Sequence, residues 1–489
     1  MERLSYQVLE QQGYQGFLQK TAPERILQFG EGNFMRAFVD YYIDVLNEKT
    51  GFCGKAVLCQ PRGTRTASAD RINGQDGLYT FYGRGFEKGK QVNEKRVISS
   101  VSRCLNPVRD FDAWMECAKN PDLRFITSNT TEAGIIYDPS CELTDRPASS
   151  FPGKLTQFLY ARFQMFGKQP GKGFVILPCE LIEENGRVLE RCVLQYARQW
   201  DLGEAFERWL QEENRFCSTL VDRIVTGYPA EEAEKLNKEN GYEDQAVDTG
   251  EVFSFWVIEG PQSLEEELPF RKAGLPVLIV EDHKPYKQRK VRILNGAHSS
   301  MVLGAYLAGQ RIVRDCMEDS DIRSFMTQAV YEEIIPTLTL PREELVSFAD
   351  SVMERFCNPF IDHALLDIAM NSTSKWRTRI LPSVKDYAKI TGKLPACLTA
   401  SLAFYLEFYS LGCQEDGKSR VSDSQEVLDF FSAHKGDTPM ELAEAACQRE
   451  DFWGEDLRQI EGFATAVGED LLLLREKGAR AVMKTVYEK

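Results

Sequence analysis

Four histidines in 489 residues, with no H-E-x-x-H motif, leave no recognisable ligand set for a catalytic zinc. None of the thirteen cysteines forms a C-x-x-C pair. That removes the zinc knuckle and the redox dithiol and leaves reduced, mostly buried thiols as the expectation. No apolar run approaches the roughly 20 residues a membrane-spanning helix requires, and the first residues lack the basic head and apolar stretch of a secretory leader. A cytoplasmic protein with no membrane partner is expected. Positive charge is also in deficit. The formal net charge of -15 argues against nucleic acid or an anionic membrane as a general partner, since both select a net basic surface.

What is present is ample apolar material, 43% of the chain, enough for the cores of two or more domains. Against the acidic background, five basic residues stand within nine positions: Lys284, Lys287, Arg289, Lys290 and Arg292. A small anionic substrate suits such an island. At 100° per residue, Lys290, Asn295 and His298 fall within an arc of about 140° on one helical surface, and Lys287 lies inside it. A lysine that is desolvated and crowded by cations loses basicity, so Lys290 is the candidate general acid and base. Asn295 can hold an alkoxide or carbonyl oxygen through its amide donors, and His298 can bind a neighbouring hydroxyl. Composition alone allows a second reading, a basic solvated helix face.

Near the start, Arg25 to Phe29 reads as a buried strand, Gly30 to Asn33 as a tight turn, and Phe34, Ala37, Phe38, Tyr41 and Val45 as the apolar stripe of a helix. Further strands are expected at 56–59, 124–127, 174–177 and 277–280, with helices at 112–119, 154–166 and 187–200. This alternation predicts a parallel sheet with helices on its faces. From about Lys287 the apolar period becomes helical, with helices expected at 343–356, 396–409, 425–434 and 462–477. The fold class is therefore α/β, a Rossmann-like N-terminal domain over 1–285 followed by a mainly helical C-terminal domain over 286–489.

Gly30 and Gly32 match the first two glycines of G-x-G-x-x-G, and Met35 occupies the third place. A strand before and a helix after put backbone N–H groups where a pyrophosphate can sit, although an ordinary βα turn needs glycine too. The acid that usually follows the second strand and grips the ribose of NAD is missing, because Cys59 precedes Gln60, Pro61 and Arg62. Arg62 by itself favours a 2′-phosphate and hence NADP. The polar stretch from Thr127 to Glu132 follows a strand and is either the nicotinamide side of a cofactor site or a capping loop.

Taken together these segments resemble the mannitol dehydrogenase family of polyol-specific long-chain dehydrogenases across almost the whole chain. Lys290, Asn295 and His298 match its K-x4-N-x2-H signature, Gly30 to Phe38 is similar to its cofactor loop, Val221 to Ile224 to its V-D-R-I segment, and Arg355 to Pro359 and Ile380 to Pro382 to later landmarks. The resemblance implies a Rossmann-like domain, NAD as cofactor in preference to the reading of Arg62, hydride transfer without a metal, and Lys290 as acid and base. Cofactor contacts are expected at Phe29, Gly30, Gly32, Asn33, Phe34, Arg62, Asn129 and Thr130.

Two departures from the family pattern carry information. Leu181 stands where many members have an asparagine that helps bind the oxyanion, and Lys287 replaces a glutamate three residues before the lysine. A cation at 287 suits a sugar-acid substrate, since it can pair with the carboxylate and repel a proton from Lys290. Lys375, Arg377 and Arg379 form a second candidate carboxylate clamp, or else a set of helix C-terminal charges. Asp222 and Arg223 are read as an ion pair bracing the active site, with direct substrate contact by Asp222 the second reading, and His363 is read as structural.

Overall fold

The computed structural model describes residues 1–487 except 62, 88, 132, 413, 416, 417 and 420, with backbone alone at 87, 414, 415, 418 and 419. The expectation for Arg62 therefore lies outside the described residues. The chain divides into two compact units, Met1–His283 and Lys284–Lys489.

The first unit is built on six parallel strands: β1 (Glu24–Phe29), β2 (Lys55–Cys59), β3 (Val101–Leu105), β4 (Phe125–Ser128), β5 (Val175–Pro178) and β6 (Arg215–Phe216). Their order is β3-β2-β1-β4-β5-β6, the doubly wound arrangement in which the chain leaves the centre in opposite directions. All five residues of β2 are buried, as expected of a strand covered on both faces. Alternation sends Ile26 of β1 into one core with Phe38, Tyr42 and Leu46, and sends Leu27 and Phe29 into the other with Trp114, Phe158 and Leu189. The helix Phe151–Phe166 on that second face starts cleanly, because Ser150 Oγ accepts from Gly153 N and Pro152 occupies its first turn.

Two smaller sheets complete this unit. The hairpin Tyr79–Glu87 and Lys90–Ile98 pairs with Asp248–Glu251 and through it with Val225–Gly227. Val277–Val280, expected in the parallel sheet, instead pairs with Phe255–Glu259, which runs antiparallel to Thr219–Asp222. A short apolar run specifies burial and leaves its partner strand open, which is why the sequence placed it in the wrong sheet.

The second unit is helical. Among the described residues its named strands are only the two-residue pieces Gln414–Glu415 and Lys418–Ser419. The helix Gly296–Leu307 packs on the almost wholly buried Ala396–Ser410. A Cβ at Gly304 would come within 2.6 Å of the Phe404 ring and 2.8 Å of Met483, so glycine sets the approach of the two helices. Buried Glu333 accepts from Cys397 N at 2.8 Å and Leu398 N at 2.9 Å, satisfying two of the orphan donors at the start of Ala396–Ser410. No helix among the described residues is long and apolar enough to cross a membrane. The described cysteines are unpaired, and of them only Cys53 is exposed.

Candidate active site

In the first unit the candidate site is the crevice at the carboxyl ends of β1 and β4, where the strand order reverses. Gly30 N donates to Cys59 O and Asn129 N to Phe29 O, both at 2.9 Å. Gly30 adopts φ +133, and a Cβ there would stand 3.0 Å from Asn129 O, so only glycine fits. A Cβ at Gly32 would meet nothing within 4 Å, which leaves the backbone at the start of the following helix open to a ligand. That helix runs from Asn33 to Thr50 and contains a π turn over Arg36–Asp40. The open glycine, the helix start and the strand order together fit a dinucleotide.

Arg36, 6% exposed, donates from Nη2 to Asn33 Oδ1 at 2.6 Å and to Asp248 Oδ2 at 3.3 Å, which orients the exposed Asn33. Phe34 is half-buried and stacks on Phe38 with centroids 5.1 Å apart. Two expected contacts need correction. The Phe29 ring is wholly buried between Trp114 and Phe151, since its place in β1 points it into the core. Thr130 is also buried, and its N–H and hydroxyl both donate to Glu180 Oε1 at 2.9 Å. Glu180, which also accepts from Ser128 Oγ at 3.0 Å, is a positioning group the sequence reading missed; its only signal is an acid two residues after a buried strand. Burial pushes its carboxyl up, against the bonds from Thr130 and Ser128. Asn129 is half-exposed, and Thr131, which follows the buried Thr130, is exposed.

Leu181, in the place of the expected asparagine, is 61% exposed. Asp222 is buried at the end of its strand. Arg223 spends its guanidinium on Ala37 O at 2.6 Å and Glu251 O at 2.9 Å, between the rings of Tyr41 and Phe81.

In the second unit, Lys290–Asn295 is a π turn between the helices Lys284–Arg289 and Gly296–Leu307. Gly296 N bonds to Val291 O, five residues back. An i to i+5 pattern stacks Asn295 over Lys290, closer than a regular helix would bring them; π turns of this kind occur mostly at functional sites. Lys287, Lys290 and Asn295 are half-buried, and the Asn295 carboxamide makes no hydrogen bond with a described residue. The basic island itself divides. Arg292 is held by Asp386 at 3.0 Å, and Arg289 lies 3.6 Å from Glu344 and over the rings of Tyr286 and Phe348, so these two are structural.

His298 is 9% exposed, stacks on Phe356 at 4.2 Å and meets His363 edge-on at 5.4 Å. Its Nε2 is buried and has no hydrogen-bond partner among the described residues. Burial first, then the nearby His363, Arg379, Arg355 and Lys375, hold its pKa well below the ordinary histidine value, so the ring is neutral at pH 7. Lys375 and Arg379 are four residues apart on the helix Ser372–Arg379 and share a face. Lys375 Nζ donates to Ile368 O at 2.8 Å and Arg379 Nη1 to Ser299 Oγ at 3.1 Å; neither pairs with an acid among the described residues. Burial lowers the pKa of both. Arg377 is not part of this group. Two residues along a helix is 200°, which turns it to the exposed side, near Gly454.

Residues 24–272 match the family model described as the mannitol dehydrogenase Rossmann domain, and residues 282–474 match the mannitol dehydrogenase C-terminal domain. The chain is 47% identical over 469 residues to altronate oxidoreductases of Escherichia coli K12 and Shigella flexneri, covering 94% of this chain and 96% of theirs. Its fold is similar to that of a D-sorbitol dehydrogenase in substrate-free form, with TM-score 0.81, 24% identity and 96% of each chain covered. It is also similar to a mannitol 2-dehydrogenase of Pseudomonas fluorescens in complex with NAD and D-mannitol, with TM-score 0.69, 22% identity and full coverage of both chains. The chain belongs to the mannitol dehydrogenase family and is an oxidoreductase of the kind that acts on sugar acids or polyols.

Proposed function

We propose that the enzyme reduces the keto group of D-tagaturonate to give D-altronate, with NADH, and runs the reverse oxidation. The observation that carries this reading is the group of cations around His298. Lys375 and Arg379, half-buried on one helix face and without an ion pair to an acid among the described residues, although Asp423 acts on Lys375 at longer range, suit a substrate that brings its own carboxylate. The likeness to altronate oxidoreductases supports the same substrate class.

NAD is held in this reading by the Gly30–Phe34 loop and Asn129, and it supplies the hydride when bound. Lys290, as the ammonium, gives its proton to the oxygen of the forming alcohol and takes it back in the oxidation, without a metal in the scheme. Asn295, stacked over Lys290 by the π turn, donates its amide hydrogens to the same oxygen while charge develops there. His298, being neutral, can accept a hydrogen bond from an adjacent substrate hydroxyl as well as donate one. Lys287, Lys375 and Arg379 hold and neutralise the carboxylate.

The test is NADH absorbance followed with tagaturonate, fructuronate, fructose and fructose 6-phosphate in parallel. Tagaturonate is expected to give the highest kcat/KM. Faster turnover of fructuronate would move the activity to the sister sugar acid, and preference for fructose would end the sugar-acid reading.

A further inference from the structure

Many Rossmann domains end their second strand on an acid that takes the ribose hydroxyls of NAD, whereas here Gln60 follows β2. A carboxylate is nevertheless present at that position, supplied by another segment. Gln60 Nε2 donates to Glu31 Oε1 at 2.9 Å, Gln60 Oε1 accepts from Asn106 Nδ2 at 2.9 Å, and Gln60 N donates to Leu105 O at 2.9 Å. Gln60 is 5% exposed and fixed through both ends of its amide, so it fixes Glu31 in turn. Glu31 is half-buried, and its second oxygen makes no hydrogen bond to a described residue. Beside Gln60 lies a cleft of about 220 Å³ whose walls include Pro61, Val108 and Pro147. The apolar side chains of Pro61, Val108 and Pro147 suit a purine ring, and the remaining walls of the cleft include the polar Ser149 and Lys154.

We infer that Glu31 is the residue that receives the adenosine ribose diol of NAD and excludes the 2′-phosphate of NADP; this rests on the dinucleotide reading given above. A ribose diol can donate two hydrogen bonds to one carboxylate, and such charge-assisted bonds are the strong ones. A 2′-phosphate removes one of those donors and sets two further negative charges against an anion that Gln60 holds in place. Glu31 stands in the glycine loop, 29 residues before its partner, so the strand-end position where an acid is usually sought contains only an amide.

The experiment measures binding of NADH and NADPH to the full chain by nicotinamide fluorescence, independently of turnover. The wild-type protein is expected to bind NADH at least 10-fold more tightly than NADPH. Glu31→Gln should weaken NADH by about 10- to 100-fold, the worth of hydrogen bonds to a charged group, and leave NADPH unchanged or tighter. Exchanging the two groups, Glu31→Gln with Gln60→Glu, keeps the hydrogen bond in reversed direction and should restore the preference for NADH, which a merely misfolded loop would not do. Wild-type NADH affinity and an unchanged NADH-to-NADPH ratio in Glu31→Gln would overturn the role of Glu31 while leaving the NAD reading intact. A wild-type protein that bound neither nucleotide, or preferred NADPH, would overturn both.

Discussion

Arg379 Nη1 donates to Ser299 Oγ at 3.1 Å, which sets a guanidinium beside the residue that follows His298. The hydroxyl is a neutral acceptor, so the positive charge of Arg379 is left for a ligand. Replacing Arg379 by Gln keeps a donor for Ser299 and removes the charge. Its KM for a sugar acid should rise about 10- to 100-fold, as expected for a charged hydrogen bond, with a smaller change in kcat. Turnover of a neutral ketose, measured in the same assay, should not fall. An unchanged KM for the acid would remove Arg379 from its recognition.

Lys290 has a different signature. Lys290→Ala removes the proton donor and should lower kcat by about 10²- to 10⁴-fold, the usual worth of a positioned acid and base. NADH binding, read by fluorescence, should be retained, because the loop proposed to hold it lies in the other compact unit. Near-normal turnover would take Lys290 out of the mechanism.

Much of the fold was legible in the sequence because it rests on local periodicity. The strand ending at Phe29 and the turn at Gly30 lie where burial requires them; of the expected stripe Ala37, Phe38 and Val45 are buried and Phe34 and Tyr41 half-buried, while the fully buried Tyr42 and Leu46 lie outside it. The helices Arg342–Phe356, Ala396–Ser410 and Phe463–Lys477 begin and end within a residue of their expected bounds. What escaped depends on partners distant in the chain or on departures from ideal geometry. The π turn at Lys290–Asn295 cannot be seen by a reading that assigns 100° to every residue. Glu31 with Gln60, and Glu180 with Thr130, are contacts across 29 and 50 residues. Arg377 is different, since the 200° between it and either neighbour was available from the spacing alone and already separated it from Lys375 and Arg379.

His298 gives a pH signature to stability. Its pKa in the folded chain is held well below its unfolded value of about 6.5, by burial and then by His363, Arg379, Arg355 and Lys375. Below pH 6.5 the unfolded chain therefore binds a proton that the folded chain refuses. The stability present above that pH is lost as pH falls, by up to about 1.4 kcal/mol per pH unit. His298→Asn removes this contribution, so the difference in urea midpoint between variant and wild type should shift in favour of the variant from pH 7 to pH 5. A constant difference would mean that His298 takes up its proton in the folded chain as readily as in the unfolded one.

Asp40 should act in the opposite direction. The π turn at Arg36–Asp40 places it fully buried, with Tyr79 donating to Oδ2 at 3.3 Å and Oδ1 without a partner among the described residues. Burial pushes its carboxyl up to about 7, against the opposing effects of Gln28 and Arg36, and Asp248 is raised to about 7 in the same cluster. Between the unfolded value of about 3.9 and 7, the folded chain keeps a proton that the unfolded chain has released. This contribution is complete below about pH 4 and is lost as pH rises toward 7, again by up to about 1.4 kcal/mol per pH unit and proton. Asp40→Asn carries no such proton. Its melting temperature relative to wild type should therefore climb between pH 5 and pH 8, and the fall in wild-type stability over that range should flatten in the variant. Because Asp40 and Asp248 share one cluster, the slope belongs to the pair, and Asp248→Asn should flatten the same window. Parallel stability curves for wild type and both variants would show that these carboxylates are already ionised in the folded chain at pH 5, with Arg36 outweighing the cost of burying them.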